Sequence, residues 1–81
     1  MFIIYSIDNC TFCNKAIEFC IEKSLDYTER KLDREIYLSE INSLVKSNKT
    51  IKTAPAIVYN DEYIGGYMDF KVFCLFEGML D

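Results

Sequence analysis

Cys10-Thr11-Phe12-Cys13 lies between an apolar stretch, Phe2-Ile3-Ile4-Tyr5-Ser6, and an amphipathic one, Asn14-Lys15-Ala16-Ile17-Glu18-Phe19-Cys20-Ile21-Glu22-Lys23. Residues 2–6 are short, β-branched and aromatic, which predicts a strand. In the second stretch Cys13, Ala16, Ile17, Cys20 and Ile21 recur at helical spacing, with Lys15, Glu18 and Glu22 elsewhere, which predicts a helix to about Lys23. Two cysteines so spaced are a redox pair, half of a metal site, or a chance pairing. Here they stand where a strand hands over to a helix, with Asn9 or Cys10 near the N-cap. The free N–H groups of a first helical turn point at whatever lies there. The helix dipole favours a thiolate at such a place, which lowers the thiol's pKa and makes it a nucleophile near neutral pH.

The chain has 81 residues, so a single domain spanning 1–81 with one modest core is expected. The formal net charge is −4 and no basic run occurs, which argues against nucleic acid as a partner. No apolar stretch approaches the roughly 20 residues that span a bilayer, so no membrane partner is expected. The N-terminus lacks a basic n-region and a small-residue cleavage site, and the expected location is cytoplasmic. Four cysteines in a secreted chain would suggest a disulfide scaffold; without a signal, a CxxC inside a βα pattern reads better as an intracellular redox motif. Histidine is absent, which removes Cys/His nucleophile pairs, Ser/His/Asp arrangements and Cys/His zinc sites together.

Further along, Tyr27-Thr28-Glu29-Arg30-Lys31-Leu32 alternates and carries charge, as a partly exposed edge strand does. Asp33 is the expected N-cap of a second helix carrying Ile36, Tyr37, Ile41, Leu44 and Val45, fading at Lys46-Ser47-Asn48-Lys49. Ala56-Ile57-Val58-Tyr59 predicts a buried strand. Asn60-Asp61 is a two-residue turn signal, and Glu62-Tyr63-Ile64 returns as a hairpin. Gly65-Gly66 breaks the chain before a third helix from Met68 to about Leu80, with Phe70, Phe73, Cys74 and Leu80 on its apolar side. The order β-α-β-α-β-β-α predicts a four-stranded mixed sheet with helices on both faces. The strands joined by a helix are expected to be parallel, and the hairpin antiparallel.

This order, with CxxC after the first strand, Thr-x-Pro before the third and Gly-Gly before the last helix, resembles glutaredoxin, the smallest thioredoxin-fold family, over essentially the whole chain. Cys10 and Cys13 match the family's redox pair, Thr53-Ala54-Pro55 its Thr-Val-Pro, and Gly65-Gly66-Tyr67-Met68-Asp69 its Gly-Gly-x-x-Asp. The resemblance implies a glutathione-dependent thiol–disulfide oxidoreductase of electron transport and cell redox homeostasis. Cys10 is then the exposed attacking thiolate and Cys13 the covered resolving thiol. The resemblance also implies a cis Ala54–Pro55 bond, which leaves the backbone of Ala54 free beside Cys10 to pair with a peptide or glutathione. Gly66, Tyr67, Met68 and Asp69 would hold the γ-glutamyl end, with helix N–H groups for its carboxylate and the Asp69 side chain for its ammonium. Thr11 and Phe12 complete the expected contacts. The implied partners are glutathione and disulfide-bearing client proteins, ribonucleotide reductase being a common client in the family, acting on a monomer.

The departures are specific. Thr11-Phe12 replaces the frequent Pro-Tyr, which loses some helix preorganisation and adds a hydroxyl that could donate toward a sulfur. Ile7 stands where the family often has a lysine for the glutathione glycine carboxylate; Lys52 is the nearest substitute, ahead of Lys15 and Lys49. Two alternatives follow. Glutaredoxins without Pro after the first cysteine include some that bridge a [2Fe–2S] cluster in a dimer, with Cys10 as the metal ligand here. Redoxins of this fold that lack glutathione binding are instead recharged by thioredoxin reductase. Cys20 and Cys74 read as core cysteines.

Overall fold

In the computed structural model, which describes residues 1–80, β1 (Phe2–Ser6) is the strand against which everything else is placed. It pairs in parallel with β2 (Tyr27–Lys31) on one side and antiparallel with β3 (Ala56–Tyr59) on the other. β3 turns back into β4 (Glu62–Gly65), and the sheet order is β2-β1-β3-β4. α1 (Thr11–Glu22), α2 (Tyr37–Leu44) and α3 (Tyr67–Phe76) complete the expected α/β, thioredoxin-like order. Asp81, the last residue of the expected domain, lies outside the described residues. Among the described residues no helix is long and apolar enough to cross a membrane.

The two-residue period of β1 explains the layers. Phe2 and Ile4 point into a core with Ala16 and Cys20 of α1, Ile57 of β3, and Phe70 and Cys74 of α3. Tyr5 points the other way, into a cluster with Tyr37 and Ile41 of α2, Val45, Ile51, Ala56 and Val58. So α1 and α3 cover one face and α2 the other. Phe2 anchors the first cluster through edge-on contacts with Phe70 at 4.9 Å and Phe73 at 6.1 Å. Ile7 ends in the second cluster, spent on packing.

Turn chemistry sets the element ends. Asn60 and Asp61 both have positive φ (49° and 67°), the two-residue turn whose twist matches a hairpin. α1 and α3 end the same way. Leu25 N–H donates to Cys20 C=O at 2.8 Å around Ser24, and Met79 N–H to Cys74 C=O at 3.0 Å around Gly78, with Ser24 and Gly78 both left-handed. Gly78 therefore stops α3 at Phe76, short of the Leu80 expected from apolar spacing, and the helix begins at Tyr67 rather than Met68.

Three further expectations are corrected. Asp33 does not cap α2: its carboxylate accepts from the N–H of Glu35 at 2.9 Å, and this local turn delays the helix, whose N-cap is Ile36. Ile21 is 64% exposed, because the buried stripe of α1 is only Cys13, Ala16 and Cys20 wide, and Phe19 packs on Phe70 at 5.4 Å instead. Gly65 still belongs to β4, and the break comes at Gly66.

Ser24 holds a backbone conformation that disfavours a Cβ. Ser24→Gly should raise stability by about 1 kcal/mol. A higher urea midpoint with unchanged slope would bear this out; a lower midpoint would mean that the Ser24 side chain contributes something the turn geometry does not reveal.

Candidate active site

Cys10 is the N-cap residue of α1, in extended conformation, and its sulfur accepts the backbone N–H of Cys13 at 3.2 Å. One of the orphan donors of the first turn is thus aimed at the Cys10 sulfur. No acidic residue occupies that turn, so nothing there opposes negative charge on the sulfur. Asn9 precedes it in the left-handed region (φ 54°), a conformation asparagine tolerates, and this bends the chain from β1 into the helix. Cys10 is half-buried and Cys13 is 1% exposed. The two form a disulfide in this structure, with Cα atoms 5.2 Å apart.

Beside this pair lies a cleft of about 310 Å³ lined by Phe12, Thr53, Ala54, Pro55, Tyr63, Gly66, Tyr67, Met68 and Asp69. Four stretches of sequence meet there: the start of α1, the Thr53-Ala54-Pro55 loop, Tyr63 of β4 and the start of α3. The Ala54–Pro55 bond is cis. Gly66 is the N-cap of α3 and has no side chain to cap the turn, so the first N–H groups of α3 carry no side-chain acceptor. Asp69 is the third residue of the helix rather than its N-cap, and its side chain lies against Gly65. A Cβ built at Gly65 would come within 2.7 Å of Asp69 Cβ, and Gly65 has φ 137°, so only glycine fits.

Two of the expected contact residues stand outside this cleft. Thr11 is exposed at the first position of α1, and it is the backbone of Cys13, not the Thr11 hydroxyl, that donates to sulfur. Lys52 is exposed and lines a neighbouring depression with Lys49, Thr50 and Gly65, which shares Thr53, Tyr63 and Asp69 with the cleft. Asp8, the residue after Ile7, is held by two cations from further along the chain. Arg34 Nη1 donates to Asp8 C=O at 2.7 Å, and Lys31 pairs with the Asp8 carboxylate at 3.2 Å.

Sequence reasoning missed three residues that shape the cleft. Tyr63 of β4 lines it directly; burial and then the nearby Asp69 charge push its phenol pKa up, so it stands there as a neutral donor. Tyr37 of α2 donates its hydroxyl to Thr53 C=O at 2.8 Å. Burial, then proximity to Tyr63, keeps that phenol protonated. Asn42 of α2 accepts from Ile51 N–H at 2.8 Å and donates to Ile51 C=O at 2.9 Å, as a neighbouring strand would. The alternation of β4 was the available signal for Tyr63. Nothing local distinguishes Tyr37 or Asn42 from ordinary helix residues.

The glutaredoxin family profile matches residues 2–64. The fold superimposes on glutaredoxin 1 of Francisella tularensis with a TM-score of 0.79 at 28% identity, covering 94% of this chain and 93% of that one. A dithiolic glutaredoxin of Trypanosoma brucei brucei gives 0.73 at 27% identity, over 99% of this chain and 81% of that one. Reduced Escherichia coli glutaredoxin gives 0.66 at 23% identity, over 91% and 92%, a likeness of fold. No curated protein matches the chain by sequence. A dithiol redox protein of thioredoxin fold is the class that the strand order and the Cys10–Cys13 pair define. Within that class, the chain belongs to the glutaredoxin family.

Cys20 and Cys74 are free thiols buried in the α1–α3 core. Burial, and then Cys74, pushes the Cys20 thiol from 9.0 up to about 12; burial raises Cys74 as well. In the reduced, folded protein at pH 8, iodoacetamide should modify Cys10 and spare Cys20 and Cys74 until denaturant is added. Mass mapping of native label on Cys20 would contradict their burial. The linkage has a definite sign. The folded chain keeps a Cys20 proton that the unfolded chain releases above 9.0, so stability is full below that pH and declines as pH rises toward about 12.

Proposed function

We propose that this protein is a glutathione-dependent thiol–disulfide oxidoreductase that reduces protein disulfides and glutathione mixed disulfides. The observation that carries the reading is the Cys10 sulfur at the N-terminus of α1, bonded by the Cys13 N–H and opening beside the Phe12–Asp69 cleft. In the reduced protein a Cys10 thiolate attacks one sulfur of the substrate disulfide. A Cys10–substrate S–S bond forms, the substrate's own S–S bond breaks, and the leaving thiolate carries off the electron pair. Cys13, covered and one turn into the helix, then displaces the substrate by closing the Cys10–Cys13 disulfide. Two molecules of glutathione reopen that bond, becoming oxidised glutathione.

The cleft suits the γ-glutamyl end of glutathione. The first N–H groups of α3, at Tyr67, Met68 and Asp69, suit its carboxylate, and the Asp69 carboxylate suits its ammonium. Thr53, Ala54 and Pro55 offer backbone beside the sulfur, and Phe12 and Tyr67 offer apolar surface. The volume lies at the lower end of the range for small-ligand sites. Ile7 brings no cation, and Lys52 next to the cleft is the residue assigned to the glycine carboxylate in this reading.

The test is turnover of a small glutathione mixed disulfide, with reduced glutathione, glutathione reductase and NADPH recharging the enzyme. Wild type should turn over, Cys10→Ser should not, and Cys13→Ser should keep the single-thiol reaction while losing dithiol exchange. Turnover only with thioredoxin reductase, or full activity of Cys10→Ser, would reject the proposal. A finer check is Gly65→Ala, which displaces the Asp69 side chain. Losing one charge-assisted contact should raise the KM for glutathione about tenfold, with the Cys10–Cys13 pair still reducible by dithiothreitol.

A further inference from the structure

The apolar wall of the cleft does not end at Met68. On α3, Met68, Val72 and Leu75 recur at i, i+4 and i+7, on a stripe that the core does not use; Phe70 and Cys74 are the buried positions. These three are 64%, 49% and 65% exposed. With Phe19 of α1, Leu80 and the stem of Lys71 they line an apolar groove of about 240 Å³. Met68 lines both groove and cleft, so the two form one continuous surface. In the cleft lining Phe12 and Tyr67 lie 6.0 Å apart, with Lys15 Nζ 5.4 Å from the Phe12 ring and Lys71, which also lines the groove, with Nζ 5.1 Å from the Tyr67 ring. In a chain of net charge −4, two ammonium groups thus stand over the two rings of the cleft, one of them on the groove. Among the described residues no acidic side chain lines the groove.

We propose that this groove docks an extended segment of the disulfide-bearing client polypeptide, with an apolar side chain seated between α1 and α3 and an acidic one opposite Lys15 and Lys71. The inference rests on the thiol–disulfide reading above and names the kind of client it favours. From Met68 to Leu75 the helix advances about 10 Å, which an extended chain spans in about three residues. Three residues is thus the span of the groove itself, and counted from the target cysteine the apolar side chain lies beyond the acidic one. A second copy of this chain fits less well. A twofold contact centred beside these lysines would set Lys15 and Lys71 of each copy against those of the other. Docking adds no redox step. Cys10 forms its S–S bond to the client sulfur, the client's S–S bond breaks, and the leaving thiolate takes the electron pair, as for any substrate.

The experiment uses the reduced Cys13→Ser protein, which retains the mixed disulfide, and peptides whose single cysteine carries a thionitrobenzoate. Release of that chromophore reports attack by Cys10 without any glutathione. A peptide with Glu between its cysteine and a Leu further along (the Leu/Glu peptide) should react about tenfold faster than the same peptide with Lys in place of Glu at low salt, and the gap should close at high salt. A Val72→Ser/Leu75→Ser double variant should slow the Leu/Glu peptide about tenfold, the worth of one buried aliphatic side chain, and leave free cysteine thionitrobenzoate unaffected. Lys15→Glu with Lys71→Glu should invert the charge preference. Equal rates for all peptides, or variants that slow peptide and free cysteine alike, would overturn the docking proposal alone. So would a wild-type dimer in sedimentation that Leu75→Ser dissociates without changing peptide rates. A Cys10 that attacks no disulfide at all would overturn the oxidoreductase reading, and the docking proposal with it.

Discussion

The backbone N–H of Cys13 donates to the Cys10 sulfur, and that bond exists only if α1 starts at Thr11. Helix geometry alone places the donor: the residue three positions past the N-cap turns its free N–H back toward the capping atom. Here the capping atom is sulfur, so the group that terminates the helix is also the reactive one. What holds the helix start in place lies further in. Ala16 and Cys20 are buried against β1 and α3 and Cys13 is enclosed as well, and α1 cannot slide without exposing them. The aromatic packing of Phe2 on Phe70, and of Phe19 on Phe70, closes the same layer from the α3 side.

The other wall of the cleft is a loop, and loops need separate anchoring. Its supports come from α2, across the sheet from α1. Asn42 pairs with both backbone groups of Ile51, and Tyr37 takes the carbonyl of Thr53. Both anchors sit beside well-buried groups: Ile51 and Tyr37 are almost fully enclosed. Their hydrogen bonds are therefore part-buried, which lessens competition from water. Thus both faces of the sheet converge on the site. The α1–α3 layer aims the sulfur and the α2 layer positions the chain opposite it, with β1 common to both.

Much of this was legible because it depends on short-range rules. Residues 2–6 and 56–59 are too apolar and β-branched to be anything but buried strands, and CxxC between a strand and a helix places the sulfur at a cap. Asn60-Asp61 named its own turn. The misses share a cause: each depends on a competitor that periodicity does not weigh. Asp33 looked like a cap, but an Asx turn to Glu35 took its carboxylate first. Leu80 continued the apolar spacing of α3, but Gly78 offered a left-handed exit. Ile21 fitted the α1 stripe, but only a narrow stripe meets the sheet. In the site, motif residues were found because they sit at strand–helix junctions. Tyr37, Asn42 and Tyr63 were not, because their roles arise only when the chain brings α2 and β4 to a loop far off in sequence. Lys52 and Thr11 neighbour cleft residues along the chain, and both lie beside the cleft rather than in its lining.

The charges of the cleft are arranged more tightly than its shape. The starts of α1 and α3 both open onto it, and each favours negative charge. Against these two sources of positive potential stands one carboxylate in the lining, Asp69, kept in place by the missing side chain of Gly65. Tyr63 adds a neutral donor next to it. A ligand with only negative charge would meet Asp69 unfavourably, and one with only positive charge would face both helix starts. A ligand with a carboxylate and an ammonium on one carbon satisfies the α3 start and Asp69 together, while the α1 start stays reserved for the sulfur. In the glutathione reading proposed above, the amino-acid end is therefore the part that these charges suit. The glycine end has no cation at the Ile7 position to meet it. In that reading the glycine end relies on Lys52, an exposed cation in the adjoining depression, while the charges of the cleft itself act on the amino-acid end.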